Sequence, residues 1–332
     1  MVQAASVSAY TAARQRAAFI DRSSERGRIL VSGRDRASFL HGLLTNDITA
    51  IGAGQGCYAA YLTAQGRMIT DALVYELGDV ILMTVGADVT DTMMTRLDRS
   101  IFTEDVQLEN ASSRLGQVAI LGPEAAAIVA AAVQSVSSDQ LRALAEHANV
   151  RMDWSGAPAI ITRITDAGIA GFEVFVDAAR ASAFTSLLER QNVPMLDRGT
   201  ADVIRIEAGV PLFHQDMDEE TIPLEAGIEG RAISFTKGCY VGQEVIVRVL
   251  HRGHGRVARK LVGMRVDGTA PPARGAPIRS NDREVGRVTS AAVSPSLAAP
   301  IALGYVHRDF VEPGARLTID AAPAIVTALP FV

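Results

Sequence analysis

Cysteine is nearly absent. Cys57 and Cys239 are the only two in 332 residues, too few for a disulfide framework and too few for the four thiolates that an iron–sulfur cluster usually takes. A reducing compartment is the natural reading. Long apolar runs are missing as well: the stretch from Ala125 to Val133 falls well short of the roughly 20 residues that span a bilayer, so no membrane contact is expected. Neither sign of charge dominates. The 32 Lys and Arg against 37 Asp and Glu give a net charge of −5, which leaves no general positive field for a phosphate backbone; direct DNA binding is not expected. No Walker loop, dinucleotide fingerprint or zinc-protease string occurs, and no metal site is expected. Aromatics, at 5%, are scarce enough that most are needed to fill the core.

The chain nevertheless has ample material for a globular core, with 48% hydrophobic and 21% charged residues over a length that suits two domains. The first twenty residues carry Arg14 and Arg16, much Ala and Ser, and no acid. They superficially resemble an organellar transit peptide but lack a signal-peptide apolar block. They read as a loose extension of a bacterial cytoplasmic protein, with the mitochondrial matrix as the alternative.

From Ile29 the pattern is strand, Asp35 cap and helix through Phe39, Leu40, Leu43 and Leu44. A hairpin follows, with Tyr58 to Leu62 and Met68 to Leu77 joined across Thr63 to Arg67, where Gly66 gives turn freedom. Further short strands and helices, including an Ala-rich helix after Pro123 and a helix over Gln140 to His147, make the class α+β and suggest two similar units. Thr200 is placed as the N-cap of a helix that stops at Gly209. After residue 255, short β-type runs between Gly, Pro, Asn and Asp predict a small antiparallel barrel or sandwich.

Four strings, in order, carry a family resemblance: Phe39-Leu40-His41-Gly42-Leu43-Leu44-Thr45-Asn46-Asp47, Arg205-Ile206-Glu207-Ala208-Gly209, Glu219 through Gly227, and Lys237-Gly238-Cys239-Tyr240-Val241-Gly242-Gln243-Glu244. The last resembles the signature of the YgfZ folate-binding family, which is similar to the T-protein (aminomethyltransferase) of the glycine cleavage system. The resemblance covers roughly residues 20 to 330. It implies an aminomethyltransferase-like fold in which two interleaved α+β subdomains form a folate-binding domain over residues 20–250 and a β-barrel follows over 255–332, three lobes around a central channel. The implied ligand is tetrahydrofolate or a derivative.

The site residues divide by chemistry. Cys239 is either a small buried hydrophobe or, beside the Lys237 ammonium, an activated thiol; the resemblance favours the thiol, since this cysteine is the one that the YgfZ signature carries, whereas the T-protein has an aspartate at the matching position. Asp71 matches the second of two adjacent T-protein carboxylates that act near the aminomethyl nitrogen, and Thr70 replaces the first. A lone carboxylate can still take a proton from an amine. Glu173 shares a strand with Phe172, Val174 and Val176 and lies on the opposite face from them. It is either an outward charge or, as the resemblance implies, the group that takes two parallel N–H bonds from a pteridine. Tyr58 matches a stacking aromatic and Arg205 a contact to a polar ligand edge or the folate tail. Asp166 stands where the T-protein has another folate-side tyrosine. The basic run Arg248, His251, Arg252, His254, Arg256, Arg259 and Lys260 is either a solvated hinge face or a site for a polyglutamyl folate tail or RNA.

The resemblance thus implies a tetrahydrofolate-binding accessory protein for assembly or repair of iron–sulfur clusters, with iron–sulfur enzymes or their assembly machinery as partners and effects on tRNA modification. In that reading Cys239, poised by Lys237, contacts the cluster, a partner or a one-carbon adduct. The alternative is a folate-dependent aminomethyltransferase or demethylase in which Asp71 assists loss of an amine.

Overall fold

The computed structural model describes residues 7–165, 168–251 and 255–332. The first elements are α1 (Val7–Gln15), β1 (Ala18–Asp21), β2 (Arg26–Ser32), α2 (Arg36–Leu43), β3 (Gly56–Leu62), β4 (Met68–Glu76), β5 (Ile81–Gly86), α3 (Thr90–Asp98) and β6 (Gln107–Asn110). They are followed by β7 (Leu115–Leu121), α4 (Ala125–Val133), α5 (Ser138–Arg142), β8 (Asn149–Trp154), β9 (Ala157–Ile164), β10 (Gly171–Asp177), α6 (Ala181–Arg190) and α7 (Arg198–Ala208). Two short helices, α8 (Pro223–Ala226) and α9 (Glu229–Ala232), and then α10 (Gln243–His251) lead to the closing strands β11 (Arg259–Val266), β12 (Pro277–Ser280), β13 (Arg283–Ser294), β14 (Ala299–His307), β15 (Arg316–Ile319) and β16 (Ala322–Thr327).

The strands form a five-stranded sheet in the order β1-β7-β10-β9-β8, a second in the order β3-β4-β5-β2-β6, and a closed barrel β11-β14-β13-β12-β15-β16. β1 leaves the run it begins in and pairs antiparallel with β7. The two α+β units are therefore interleaved, as expected, and the terminal β segment closes into a barrel rather than a sandwich.

Each five-stranded sheet is covered on both faces, which explains why its central strands are apolar nearly throughout. On the first, Phe172, Val174 and Val176 of β10 pack outward against Val129 of α4 and Phe184 and Leu188 of α6. On the second, Ile29, Val31, Val74 and Met83 pack outward against Leu40 of α2 and Met93 and Leu97 of α3. The remaining faces meet each other. Tyr58, Ala60, Leu73, Tyr75 and Leu82 share one core with Ile160 and Phe175, and the Tyr75 and Phe175 rings meet edge to face at 6.2 Å. A mixed-charge cleft of about 870 Å³ opens between the first units and the barrel, lined by Arg67, Asp216, Glu225, Arg259, Tyr305 and His307 among others.

Several local expectations change. The stretch read as a loose extension contains α1 and β1, and Tyr10 and Ala13 are buried. What holds α1 is the fully buried Glu207 carboxylate: the Tyr10 hydroxyl donates to it at 2.6 Å, and Arg14 and Ser294 donate to it as well. The cap of α7 is Asp197, which accepts from the Thr200 N–H at 2.8 Å, so the helix starts earlier than expected; Gly209 ends it in the left-handed conformation at φ 71°. The helix expected over Gln140 to His147 is the short α5, nucleated by a capping box between Ser137 and Gln140.

Candidate functional site

The face shared by the two sheets carries polar side chains that a core would not otherwise contain. Strand register sets their positions. Across the first sheet one row runs Ile20, Ala119, Glu173, Thr162 and Asn149, and the next contains Gln117, Phe175 and Ile160. Glu173, Thr162 and Gln117 are each 0% exposed. Glu173 is therefore no outward charge: β10 is the middle strand of its sheet and the facing sheet covers it.

The Arg22 guanidinium, just past β1, donates to Glu173 Oε1 at 2.9 Å. The other oxygen, Oε2, has no partner among the described residues, nor do the Thr162 hydroxyl and both polar atoms of the Gln117 amide. Across the gap between the sheets, burial lowers the pKa of the Arg28 guanidinium, and the nearby charges of Asp21 and Glu173 act against that shift. Arg28 donates to backbone carbonyls of Ser23, Arg26 and Ser112, so it is held in place and its charge faces the carboxylate.

On the facing sheet Tyr58 lies opposite Leu73, which makes Asp71 its diagonal neighbour on the same face. The Tyr58 hydroxyl donates to Asp71 Oδ2 at 2.7 Å. The Tyr58 ring is buried, with the Arg231 guanidinium over it at 5.0 Å. Asp71 is half-buried, and its Oδ1 accepts no hydrogen bond among the described residues. The Thr70 hydroxyl turns to the Asp71 backbone carbonyl at 3.1 Å.

The Lys237 to Glu244 segment is pinned at two points. The Lys237 ammonium donates to the carbonyl of His41, in the last turn of α2, and to those of Leu44 and Asn46 just past its end. Gly242 holds φ 84°, and a Cβ there would stand 2.5 Å from the Thr63 carbonyl oxygen and 3.2 Å from Gly66 Cα; only glycine lets the segment lie this close to the β3–β4 turn. Between the anchors Tyr240 is buried and Cys239 is exposed. The expected partnership of Lys237 with Cys239 is not what the geometry builds. Burial pulls the Lys237 ammonium down to about 8, and the groups that act against this are Asp47 and Cys57. Cys57 is itself pushed up to about 12 by burial. The lysine's charge points into the protein, away from solvent, and Cys239 stands out on a fixed turn.

Arg205, expected at a ligand, is a clamp. Four of its five N–H groups are used: they donate to Asp202 at 2.6 Å, the Val210 carbonyl at 3.1 Å, Asp216 at 2.6 Å and the Ser290 hydroxyl at 2.8 Å. Ser290 belongs to β13, so the arginine ties α7 to the barrel. Within the basic run, Arg259 pairs with Glu225 at 3.3 Å and lies over the Tyr305 ring. Asp166, Arg252, Gly253 and His254 lie outside the described residues, and the His251 side chain is not described.

Sequence reasoning did not single out Arg22, Arg28, Gln117 or Thr162. Arg22 adjoins the stretch read as loose. Gln117 was the one legible signal, an amide within the otherwise apolar strand Leu115–Leu121; Thr162 is too ordinary in a strand to stand out.

Residues 2–237 match the family model described as the GCVT N-terminal domain, and residues 259–332 match the glycine cleavage T-protein C-terminal barrel domain. The chain belongs to the glycine cleavage T-protein family. Relatives named aminomethyltransferase include one from Rubrobacter xylanophilus, 32% identical over 99% of this chain and 87% of its own length. Another, from Halothermothrix orenii, is 31% identical over 93% of this chain and 87% of its own length. The fold is shared with the crystal structure of glycine cleavage system aminomethyltransferase T from Bartonella henselae, at a TM-score of 0.88 and 24% identity over 98% of this chain and 89% of that one. These findings support the T-protein side of the resemblance and not the narrower YgfZ assignment. They support neither iron–sulfur cluster assembly nor tRNA modification. Among the described residues no helix is long and apolar enough to cross a membrane.

Proposed function

We propose that this T-protein relative is a folate-dependent one-carbon transferase of the aminomethyltransferase type, with the Glu173 carboxylate as the group that holds tetrahydrofolate or a derivative. The observation that carries the reading is the Glu173 carboxylate. It is fully buried, one oxygen is held by Arg22, and the other lacks a partner among the described residues. A buried acceptor left unpaired is costly, and the amino-pyrimidine edge of a pteridine supplies the N–H groups that satisfy it. Tetrahydrofolate, when bound, supplies the nitrogens that accept the one-carbon unit.

The chain's own part in the chemistry falls to Asp71 and Tyr58. The Tyr58 hydroxyl fixes Asp71 through Oδ2, which leaves Oδ1 to accept an N–H of the substrate's amine. That amine departs in its protonated form, and Oδ1 takes the proton released when the attacking nitrogen bonds to the one-carbon unit. Thr70 adds no second base, because a neutral hydroxyl lacks the basicity of the carboxylate it replaces, and this one donates to the backbone. With one carboxylate in place of two, turnover should be slower than in a relative that has both.

A second reading rests on one observation, the exposed Cys239 on a turn anchored on both sides. There the folate fold serves an accessory role and the thiol contacts a partner or a cluster. One assay separates the two: aminomethyl transfer to tetrahydrofolate, followed by ammonia release. Turnover that is lost in Asp71→Asn and kept in Cys239→Ala supports the transferase. No turnover by the wild-type protein contradicts it.

A further inference from the structure

We infer that Gln117 and Thr162 are specificity-determining residues of the Glu173 site, reading the edge of an amino-oxo-pyrimidine ring beside the carboxylate. The inference rests on the folate reading above and extends it to two residues of this chain.

Their positions come from register. Thr162 of β9 is directly opposite Glu173 of β10, and Gln117 of β7 is opposite Phe175, one step diagonal from Glu173 on the other side. Side chains at such positions on one face are about 5 Å apart when opposite and about 7–8 Å apart on the diagonal. Thr162 and Gln117 thus flank Glu173, one on each side. All three residues are 0% exposed, and Glu173 Oε2, Thr162 Oγ1, Gln117 Oε1 and Gln117 Nε2 all lack partners among the described residues.

The rest of this layer shows what the sheets do with polar groups that serve the fold. Arg28 donates to three backbone carbonyls, and the Asn149 amide donates to the carbonyl of Gln55 at 2.9 Å. Gln117 and Thr162 have no such role. Leu at the first position and the near-isosteric Val at the second would remove the desolvation cost without opening a cavity. A buried polar group with no structural use calls for an explanation in function.

The donor and acceptor pattern selects the ligand class. Glu173 accepts only and repels an anion, so a carboxylate or phosphate group is excluded next to it. Gln117 offers one acceptor and two donor hydrogens, and the Thr162 hydroxyl offers both roles. The matching edge presents N–H groups to Glu173 and a carbonyl oxygen within reach of an N–H or O–H donor, which is the amide-and-amidine edge of an amino-oxo-pteridine. An alkyl chain satisfies none of these atoms.

The test uses the full chain and two variants, Gln117→Leu and Thr162→Val, titrated calorimetrically with tetrahydrofolate and with 6-methyltetrahydropterin, which lacks the tail. Each variant should weaken both ligands by the same factor, roughly tenfold, while raising the urea midpoint of the ligand-free protein. Affinities within twofold of wild type for both ligands overturn the inference, as does a loss confined to tetrahydrofolate, which would put the contact on the tail. A fall in ligand-free stability with unchanged affinity also overturns it by showing a structural role. If wild type binds and Glu173→Ala weakens it while these two variants do not, the inference alone fails. If wild type binds neither ligand, the folate reading fails and the inference with it.

Discussion

Asp216 should be among the residues whose loss the fold tolerates least. Its side chain is 0% exposed, yet it carries a charge that four donors meet: Arg205 at 2.6 Å, the Leu212 N–H at 3.1 Å, and the Thr289 and Ser290 hydroxyls at 2.5 and 2.6 Å. In Asp216→Ala the Arg205 guanidinium is left buried with, among the described residues, only the part-exposed Asp202 as a charge partner. The Ser290 hydroxyl loses its acceptor, and the Thr289 hydroxyl keeps only the Leu303 carbonyl at 3.3 Å. Breaking a buried ion pair from one side costs about 3–5 kcal/mol. With a urea m-value of about 3 kcal/mol/M for a chain of this size, the midpoint should fall by about 1–1.7 M. Far-UV circular dichroism through a urea series reads this directly, and Asp216→Asn, which keeps the shape and removes the charge, should lose much of the same stability. A midpoint within about 0.3 M of wild type would refute the clamp. Such a result, joined to weaker folate binding in Arg205→Lys, would return Arg205 to the ligand.

Gly242→Ala forces a Cβ to 2.5 Å from the Thr63 oxygen at φ 84°; a left-handed alanine alone costs about 1–2 kcal/mol, so limited proteolysis should cut faster around Tyr240 to Gln243, and an unchanged rate would contradict the double anchoring of the Cys239 turn. His214 is held by Asp88 at 2.5 Å and Glu219 at 3.1 Å. Burial lowers its pKa, but these two carboxylates outweigh that and raise it above the ordinary 6.5. The stabilisation is therefore complete below 6.5 and is lost as pH rises through the raised folded value; His214→Gln should flatten that limb of the stability profile. Lys237 behaves oppositely, since burial takes it from 10.5 to about 8. The unfolded chain binds more protons between those values, so stability should rise with pH across that window. The slope should be smaller in Lys237→Met, and an identical slope would show that the ammonium is solvated.

Much of the architecture was legible because burial imposes a period. The Tyr58 to Leu62 and Met68 to Leu77 hairpin, the strand holding Phe172 to Val176, and the β-rich terminus all follow from alternation and turn residues. The helix through Ile204 and Ile206 was legible from its periodicity and its Gly209 stop, but its cap was not. What period cannot say is which face meets which. Glu173 fits an outward charge and an inward one equally well until the facing sheet is placed over it. The N-terminal segment misled because its apolar contacts are mostly alanines and its anchor, Glu207, lies far along the chain. Lys237 misled for the same reason: adjacency to Cys239 in the sequence says nothing about three carbonyls in and just past the last turn of α2.

The most direct test of the site is calorimetric titration of the wild-type protein and Glu173→Ala with reduced folates. A lost charge-assisted contact of about 1.5–3 kcal/mol predicts affinity lower by roughly ten- to 150-fold. Equal affinity in the two proteins would contradict the assignment of Glu173 as the group that holds the ligand.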